Sequence, residues 1–132
     1  LVDRVAVEGF AAARPSAEGP FGDSMNGLPK HVGSSTLTEV AWNAQVLTRN
    51  VPDAVRSLRT GDGALILVTG NATLVHTLLA HDLFDTLRLM VFPVSIGPGL
   101  RVFPGERRKQ QWRLCVQRTF PNRVVVSDFI RD

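Results

Sequence analysis

Cysteine is almost missing from this chain of 132 residues: Cys115 stands alone, so no internal disulfide can form, and a reducing, cytoplasmic setting is predicted. No apolar run approaches the ~20 residues that a membrane-spanning helix requires. The opening "LVDRVAVEGF" carries Asp3 and Glu8 where a secretion signal would need a basic segment and a long apolar core. A soluble protein with no membrane partner is therefore expected. The three histidines, His31, His76 and His81, have no paired cysteine or histidine at metal-ligand spacing, so no metal site is predicted. No Ser-His-Asp set, Walker loop or carboxylate pair can be assembled either. Internal repeats, low-complexity tracts and linkers are absent as well, which leaves one domain over residues 1–132.

What is present is ordinary globular composition, with 44% hydrophobic and 20% charged residues. Charge is uneven: residues 1–99 hold seven Lys/Arg against nine Asp/Glu, a net of −2, whereas 100–132 hold eight against three, a net of +5. The run "GERRKQQWR" invites a nucleic-acid reading with Trp112 as a stacking partner. One short basic run is not a footprint. A solvated loop leading into a strand, with Trp112 turned inward, is the better account, and no nucleic-acid partner is predicted.

Along the chain, residues 1–13 have helix-compatible composition. "RPSAEGPFGDSMNGLPK" has three prolines and three glycines and reads as a long irregular surface loop. "KHVGSSTL" and "AQVLT" read as short strands. Pro52 to Thr60 reads as a helix with Pro52 in its first turn, Val55 and Leu58 on one face, and "GDG" ending it. "ALILV", residues 64–68, is apolar at every position, the pattern of an interior strand covered on both faces. Leu74, Val75, Leu78 and Leu79 then form a helical stripe, and "LRLMVFPV" supplies another strand. This strand, helix, strand order predicts parallel pairing with right-handed crossovers. "QWRLCVQRTF" and "RVVVSDFI" flank Pro121 and Asn122 as an antiparallel hairpin, so the fold class is α/β with a mixed, mostly parallel sheet. Cys115 falls in that hairpin as a small structural thiol, and Asp82 and Asp85 serve local hydrogen bonding near a helix end.

"LVTGNATLVHTLL", residues 67–79, passes from apolar strand through a glycine turn into helix without a single charge. A turn at the carboxyl end of a parallel strand presents free N–H groups and the positive end of a helix dipole, which suits a phosphate. Gly70 permits close approach to the backbone, and Asn71 or Thr73 can cap the helix and add a donor. The same features also serve a glycine that merely makes the turn and a threonine that merely caps. Local pattern leaves both readings open.

The wider pattern adds to this. "GNATLVHTLLAHDLFDTLRLMVFPVSIGPGLRVF" resembles the C-terminal half of the dihydrofolate-reductase-like family that includes the reductase domain of bifunctional riboflavin-biosynthesis deaminase-reductases. That family's Gly-Ser-Gly-Thr-Leu turn corresponds to Gly70, Asn71, Ala72, Thr73 and Leu74; its Asp-Glu-Leu to Asp85–Leu87; its Pro-Val strand to Pro93 and Val94; and its Gly-x-Gly to Gly97 and Gly99. "MNGLPKHVGSSTL" is similar to its Met-Asn-x-x-Pro-Lys-Tyr-Val-x-Ser-x-Thr-Leu, and "DRVAVEGF" to its Gly-Arg-x-Thr-Tyr-Glu helix start. The resemblance covers nearly the whole chain. It implies a three-layer dihydrofolate-reductase-like domain, with a C-terminal antiparallel hairpin and NADPH, or NADH, across the carboxyl ends of the strands. The pyrophosphate would lie at Gly70–Leu74 and the adenosine end near Ser34, Ser35 and Thr36.

The departures from the family pattern are specific. Ser35 stands where the family often has arginine, which weakens the grip expected on a 2′-phosphate. Ala6 and Val7 replace a Thr-Tyr pair, Asp3 replaces a glycine, and Gly33 replaces an apolar strand residue. The family's N-terminal strand, a substrate-side loop and a helix precede the region matched by Leu1, and a sheet without that strand leaves backbone groups to be paired; either the sequence is a fragment, or a second copy or another chain fills the gap, or the enzyme has decayed. The resemblance thus implies an NAD(P)H-dependent reductase of a pterin-like or pyrimidine-like small molecule, and the apolar "LRLMVFPV" points to a homodimer. A non-catalytic dimerising or nucleotide-binding remnant is the alternative.

Overall fold

The computed structural model describes residues 1–4, 8, 9, 12, 19–34, 37, 40, 42–47, 50–61, 63, 65–69, 72–103 and 109–132. They form two compact units, Leu1–Thr77 and Leu78–Asp132.

The first unit is built on three parallel strands, β1 (Val2–Asp3), β2 (Lys30–Gly33) and β3 (Ala44–Leu47), in the order β1-β2-β3. Two helices of the unit are α1 (Pro20–Gly27) and α2 (Val51–Arg59), and a third, α3 (Ala72–Ala80), begins in it. The expected strands at "KHVGSSTL" and "AQVLT" and the helix after Pro52 are all present. Val2 and the fully buried Val32, adjacent across the β1–β2 ladder, make the centre of the core, with Leu37, Val40, Trp42 and Ala44 packed on them. α2 buries Pro52 and Val55 and leaves its charged face to solvent, with Asp53 and Arg56 paired at 2.5 Å one turn apart.

Two expectations are corrected here. The stretch read as one irregular loop contains α1: Gly19, at φ 97°, turns the chain into a helix with Pro20 in its first turn, where a missing N–H costs nothing. Asp23 N–H donates to the Gly19 carbonyl at 3.0 Å and the Ser24 hydroxyl to the Pro20 carbonyl at 2.8 Å. "ALILV" is not an interior strand. Residues 65–69 run without a regular ladder, and Leu65 and Leu67 are 89% and 59% exposed. The Leu1 nitrogen donates to the Leu67 carbonyl at 2.6 Å and Thr69 N–H to the Leu1 carbonyl at 3.0 Å, a single parallel bridge. Among the described residues no strand pairs with the other side of this segment.

The second unit is an antiparallel sheet, ordered β4-β6-β5, of β4 (Thr86–Val91), β5 (Trp112–Thr119) and β6 (Val125–Arg131). The predicted hairpin is present. Phe120 and Val124 close it at 2.9 Å, with Arg123 at φ 65° in the turn and a bulge between Leu114 and Val116. β4 pairs antiparallel with β6, from Thr86↔Ile130 to Val91↔Val125. α3 ends in this unit with Asp82 at φ 57° and Leu83 N–H on the Leu78 carbonyl, a left-handed cap that an aspartate tolerates. Asp82 also accepts Gln110 Nε2 at 3.0 Å and pairs with Arg131, both distant in sequence, and the Asp85 backbone carbonyl accepts Arg131 N–H at 3.2 Å. Leu78, Leu79, Leu83, Leu87 and Val124 are the buried apolar residues of the unit.

"MNGLPK" receives a structural explanation. Lys30 is buried at the start of β2, and its Nζ donates to the Asn26 and Leu28 carbonyls at 3.2 and 2.7 Å and sits 4.3 Å from the Trp42 ring centroid. Trp42 Nε1 donates back to Asn26 Oδ1 at 2.6 Å, and Asn43 Nδ2 to the Gly27 carbonyl at 3.1 Å. Burial pushes the Lys30 ammonium below its ordinary range, and the carbonyls and indole face retain it. These bonds also hold Trp42 and Asn43 in their left-handed conformations, φ 67° and 50°. We predict that Lys30→Met lowers unfolding stability by about 1–3 kcal/mol, because the Asn26 and Leu28 carbonyls each lose a charged donor while the apolar stem is kept. A urea midpoint equal to that of the parent chain would show that the ammonium contributes nothing.

Candidate functional site

The parallel strands end together. Asp3, Gly33 and Leu47 are Cα partners across the three-stranded sheet, so the chain leaves β1, β2 and β3 at one level. Two helices start beside that level, as the surroundings of Gly33 record. A Cβ on Gly33 would stand 3.3 Å from Val51 Cγ2, in the first turn of α2, and 3.6 Å from Leu74 Cδ1, in the first turn of α3. The glycine that departs from the family pattern is therefore a packing residue: Val51 and Leu74 fill the space an apolar side chain would take. Helix first turns carry N–H groups without intrahelical acceptors and the positive dipole end. The first turn of α3 has no acidic residue, so nothing there repels an anion.

Of the residues predicted to hold a dinucleotide, Ser34, Ala72, Thr73 and Leu74 are described; Ser35, Thr36, Gly70 and Asn71 lie outside the described residues. Ser34 follows Gly33, and its Oγ accepts Leu37 N–H at 3.1 Å. Thr73 is exposed and its carbonyl accepts the Thr77 hydroxyl at 2.9 Å. Leu74 is buried, so its side chain anchors the helix and only its backbone can face a ligand. Gly33 links Ser34, its chain neighbour, to the Ala72–Leu74 turn, and so joins the two predicted contact regions. Arg56, a cation that could compensate for Ser35, is engaged by Asp53 on its own helix.

Arg49, the other cation that could compensate, lies outside the described residues. No group of His, Cys, Asp or Glu among the described residues can hold a metal ion. His81 and Cys115 are exposed, the latter in place of the structural thiol read from the sequence. Trp112 is half-buried with a shielded indole nitrogen, as an inward-turned residue would be.

Sequence reasoning missed a cavity of about 350 Å³ at the other end of the parallel strands, lined mainly by apolar side chains such as Leu1, Met25, Trp42 and Leu65 together with Lys30 and His31. The buried lysine between a proline and a strand was the only signal for it. His31 Nδ1 is buried there without a hydrogen-bond partner. Burial, and then the positive Leu1 amino group, push the imidazole below its ordinary 6.5.

Two outcomes follow from this geometry. Gly33→Val should destabilise the chain by about 1–3 kcal/mol through overpacking, with Val51→Ala in the same chain restoring part of the loss. An undisturbed single variant would mean that the neighbours yield freely. His31 has a folded-state pKa below its unfolded one, so it rejects a proton that the unfolded chain accepts. Stability should therefore fall as pH drops below about 6.5, until the lowered pKa is passed, and His31→Gln should flatten that part of a urea-midpoint profile. An unchanged slope would assign the acid sensitivity elsewhere.

Comparison with known proteins agrees with the motifs. Residues 11–126 match the RibD C-terminal domain family. The chain is 28% identical over 111 residues to the uncharacterized protein YyaP of Bacillus subtilis (strain 168), a match that takes in 84% of this chain and spans 59% of that relative's length. Among solved structures, a putative riboflavin biosynthesis protein from Shewanella sp. PV-4 superposes with a TM-score of 0.79 at 16% identity, covering 99% of this chain and 72% of that one. A pyrimidine reductase-like protein from Corynebacterium diphtheriae NCTC gives 0.55 at 18% identity, over 67% of this chain and 38% of that one. At such identities the likeness is one of fold, and the fold is the α/β one the motifs implied. With residues 11–126 matched end to end and the parallel strands, α3 and the terminal hairpin all in place, the chain belongs to the RibD C-terminal domain family.

Proposed function

We propose that this protein is an NADPH- or NADH-dependent reductase acting on a pterin-like or pyrimidine-like small molecule, with the dinucleotide across the carboxyl ends of β1, β2 and β3. One observation carries the reading: three parallel strands stop at the Asp3–Gly33–Leu47 level, and α2 and α3 begin against Gly33. Crevices outside the carboxyl ends of parallel strands are where such sheets take their ligands. The described residues fit a dinucleotide. The uncharged first turn of α3 offers N–H donors and the Thr73 hydroxyl to a pyrophosphate, and Ser34, just past β2, serves the adenosine end. Bound there, the cofactor supplies a hydride, and the protein's part is to orient it and exclude water. Ser35 in place of arginine, with Arg56 held by Asp53, supports weak discrimination between the two cofactors.

The exposure of Leu65 and Leu67 favours a second reading, a chain that binds a dinucleotide without turning it over. Titration with NADPH and NADH, on the parent chain and on Gly70→Val, separates the possibilities. Both cofactors should bind the parent with similar affinity, and the variant should lose about tenfold or more, ~1.4 kcal/mol. Equal binding by parent and variant would remove the turn from the site, and binding with no reduction of any dihydropterin or aminopyrimidine offered would support the second reading.

A further inference from the structure

The end of α3 combines two costs that a helix terminus ordinarily avoids. Asp82 holds φ 57°, a conformation that glycine adopts freely and other residues adopt at a cost. Its carboxylate also stands just past the carboxyl end of the helix, where the dipole disfavours an anion. Both costs are met by side chains from far along the chain. Asp82 Oδ1 accepts Gln110 Nε2 at 3.0 Å and Arg131 Nη2 at 2.5 Å. Gln110 Nε2 donates in addition to the Leu79 carbonyl at 2.9 Å, one of the groups that a helix end leaves without a donor of its own. Trp112 and Arg131 are Cα partners in the β5–β6 ladder, so Gln110 and Arg131 come from the neighbouring ends of those two strands. A glycine at position 82 would close the helix without strain; what the aspartate adds is the carboxylate that joins these groups.

We propose that Asp82 is a positioning residue. With Gln110 and Arg131 it locks the last turn of α3 to the paired ends of β5 and β6, and thereby fixes where the first turn, Ala72–Leu74, presents its N–H groups. A helix of nine residues moves as one body about 13 Å long, so freedom at its last turn is carried to its first. Leu79, Asp82, Gln110 and Arg131 all belong to the second unit, and the lock is described by that unit alone. Its consequence for a ligand rests on the placing of a dinucleotide at Ala72–Leu74 proposed above. The competing account is a half-exposed ion pair that merely bridges two surface side chains, and such pairs contribute little.

Asp82→Gly keeps the left-handed closure and removes the carboxylate. Its urea midpoint should stay close to that of the parent, because relief of the strained conformation offsets the lost bonds. NADPH and NADH should both bind it about three- to fivefold more weakly, since a whole ångström of misplacement costs about a hundredfold and the slack here is a few tenths. Amide hydrogen exchange at Leu83, whose N–H closes the helix on the Leu78 carbonyl, should quicken in the same variant. Asp82→Asn tolerates the left-handed conformation and keeps an acceptor, so it should recover most of the affinity. Arg131→Met should weaken binding by a similar factor and also lower the midpoint, because the carboxylate is then left at the helix end without its cation. Added to Asp82→Gly, it should cost no further affinity. Parent affinity in Asp82→Gly, or losses in Asp82→Gly and Arg131→Met that add in the double variant, overturns the inference. A parent chain that binds neither cofactor overturns the reading on which the inference rests, and the inference with it.

Discussion

The first unit depends on in-register parallel pairing around Val32. Once Val2, Val32 and Val46 lie side by side, the row that follows them, Asp3, Gly33 and Leu47, must end the strands at one level. Everything that could serve a ligand descends from that constraint. Helices that return over a parallel sheet begin near strand ends, and here two begin close enough that Val51 and Leu74 both touch the space above Gly33. A residue without a side chain leaves room for two first turns to pack on the same strand end, so the glycine that looks like a loss by family pattern accommodates Val51 of α2 and Leu74 of α3.

At the opposite end of the same strands, order is kept by polar rather than apolar contacts. Lys30 is the second member of this arrangement in importance, because a buried ammonium must be satisfied by something fixed. The Asn26 and Leu28 carbonyls and the Trp42 face meet that demand, and in doing so they join the end of α1 to the turn before β3. The left-handed conformations of Trp42 and Asn43 persist because these bonds over-determine them. His31 differs in kind: its Nδ1 has no partner, and the unit avoids the cost of a buried cation by keeping the ring neutral.

Much of this was legible in the sequence where short-range rules suffice. β2, β3, α2 and the terminal hairpin follow from β-branched runs, a proline at a helix start and a Pro-Asn turn. The dihydrofolate-reductase-like motifs identified the family and located Ser34 and the Ala72–Leu74 turn, which the fold connects through Gly33. Two failures have physical causes. α1 was hidden because proline and glycine were read as breakers, although Pro20 sits at the one helical position that favours it. Residues 64–68 were read as interior because uniform apolarity implies cover on both faces; apolarity records what a strand can tolerate, while the number of neighbouring strands is set by distant chain that no local window contains.

Residues 65–69 and β4 each have a side that no described strand pairs. Natural sheets blunt a free edge with lysines, prolines or inward charges so that it cannot recruit another strand. Residues 65–69 have none of these, and their backbone finds only Leu1. β4 has a single candidate, Arg88, which the hydrogen-bonded Asp128 carboxylate holds firmly charged while drawing it across the sheet towards β6. Beyond Arg88 the chain continues through Met90, Val91 and Phe92, all exposed, before Pro93 ends any further pairing. The Arg88–Asp128 pair therefore belongs to the β4–β6 ladder itself, tying the two strands together on the exposed face of the sheet.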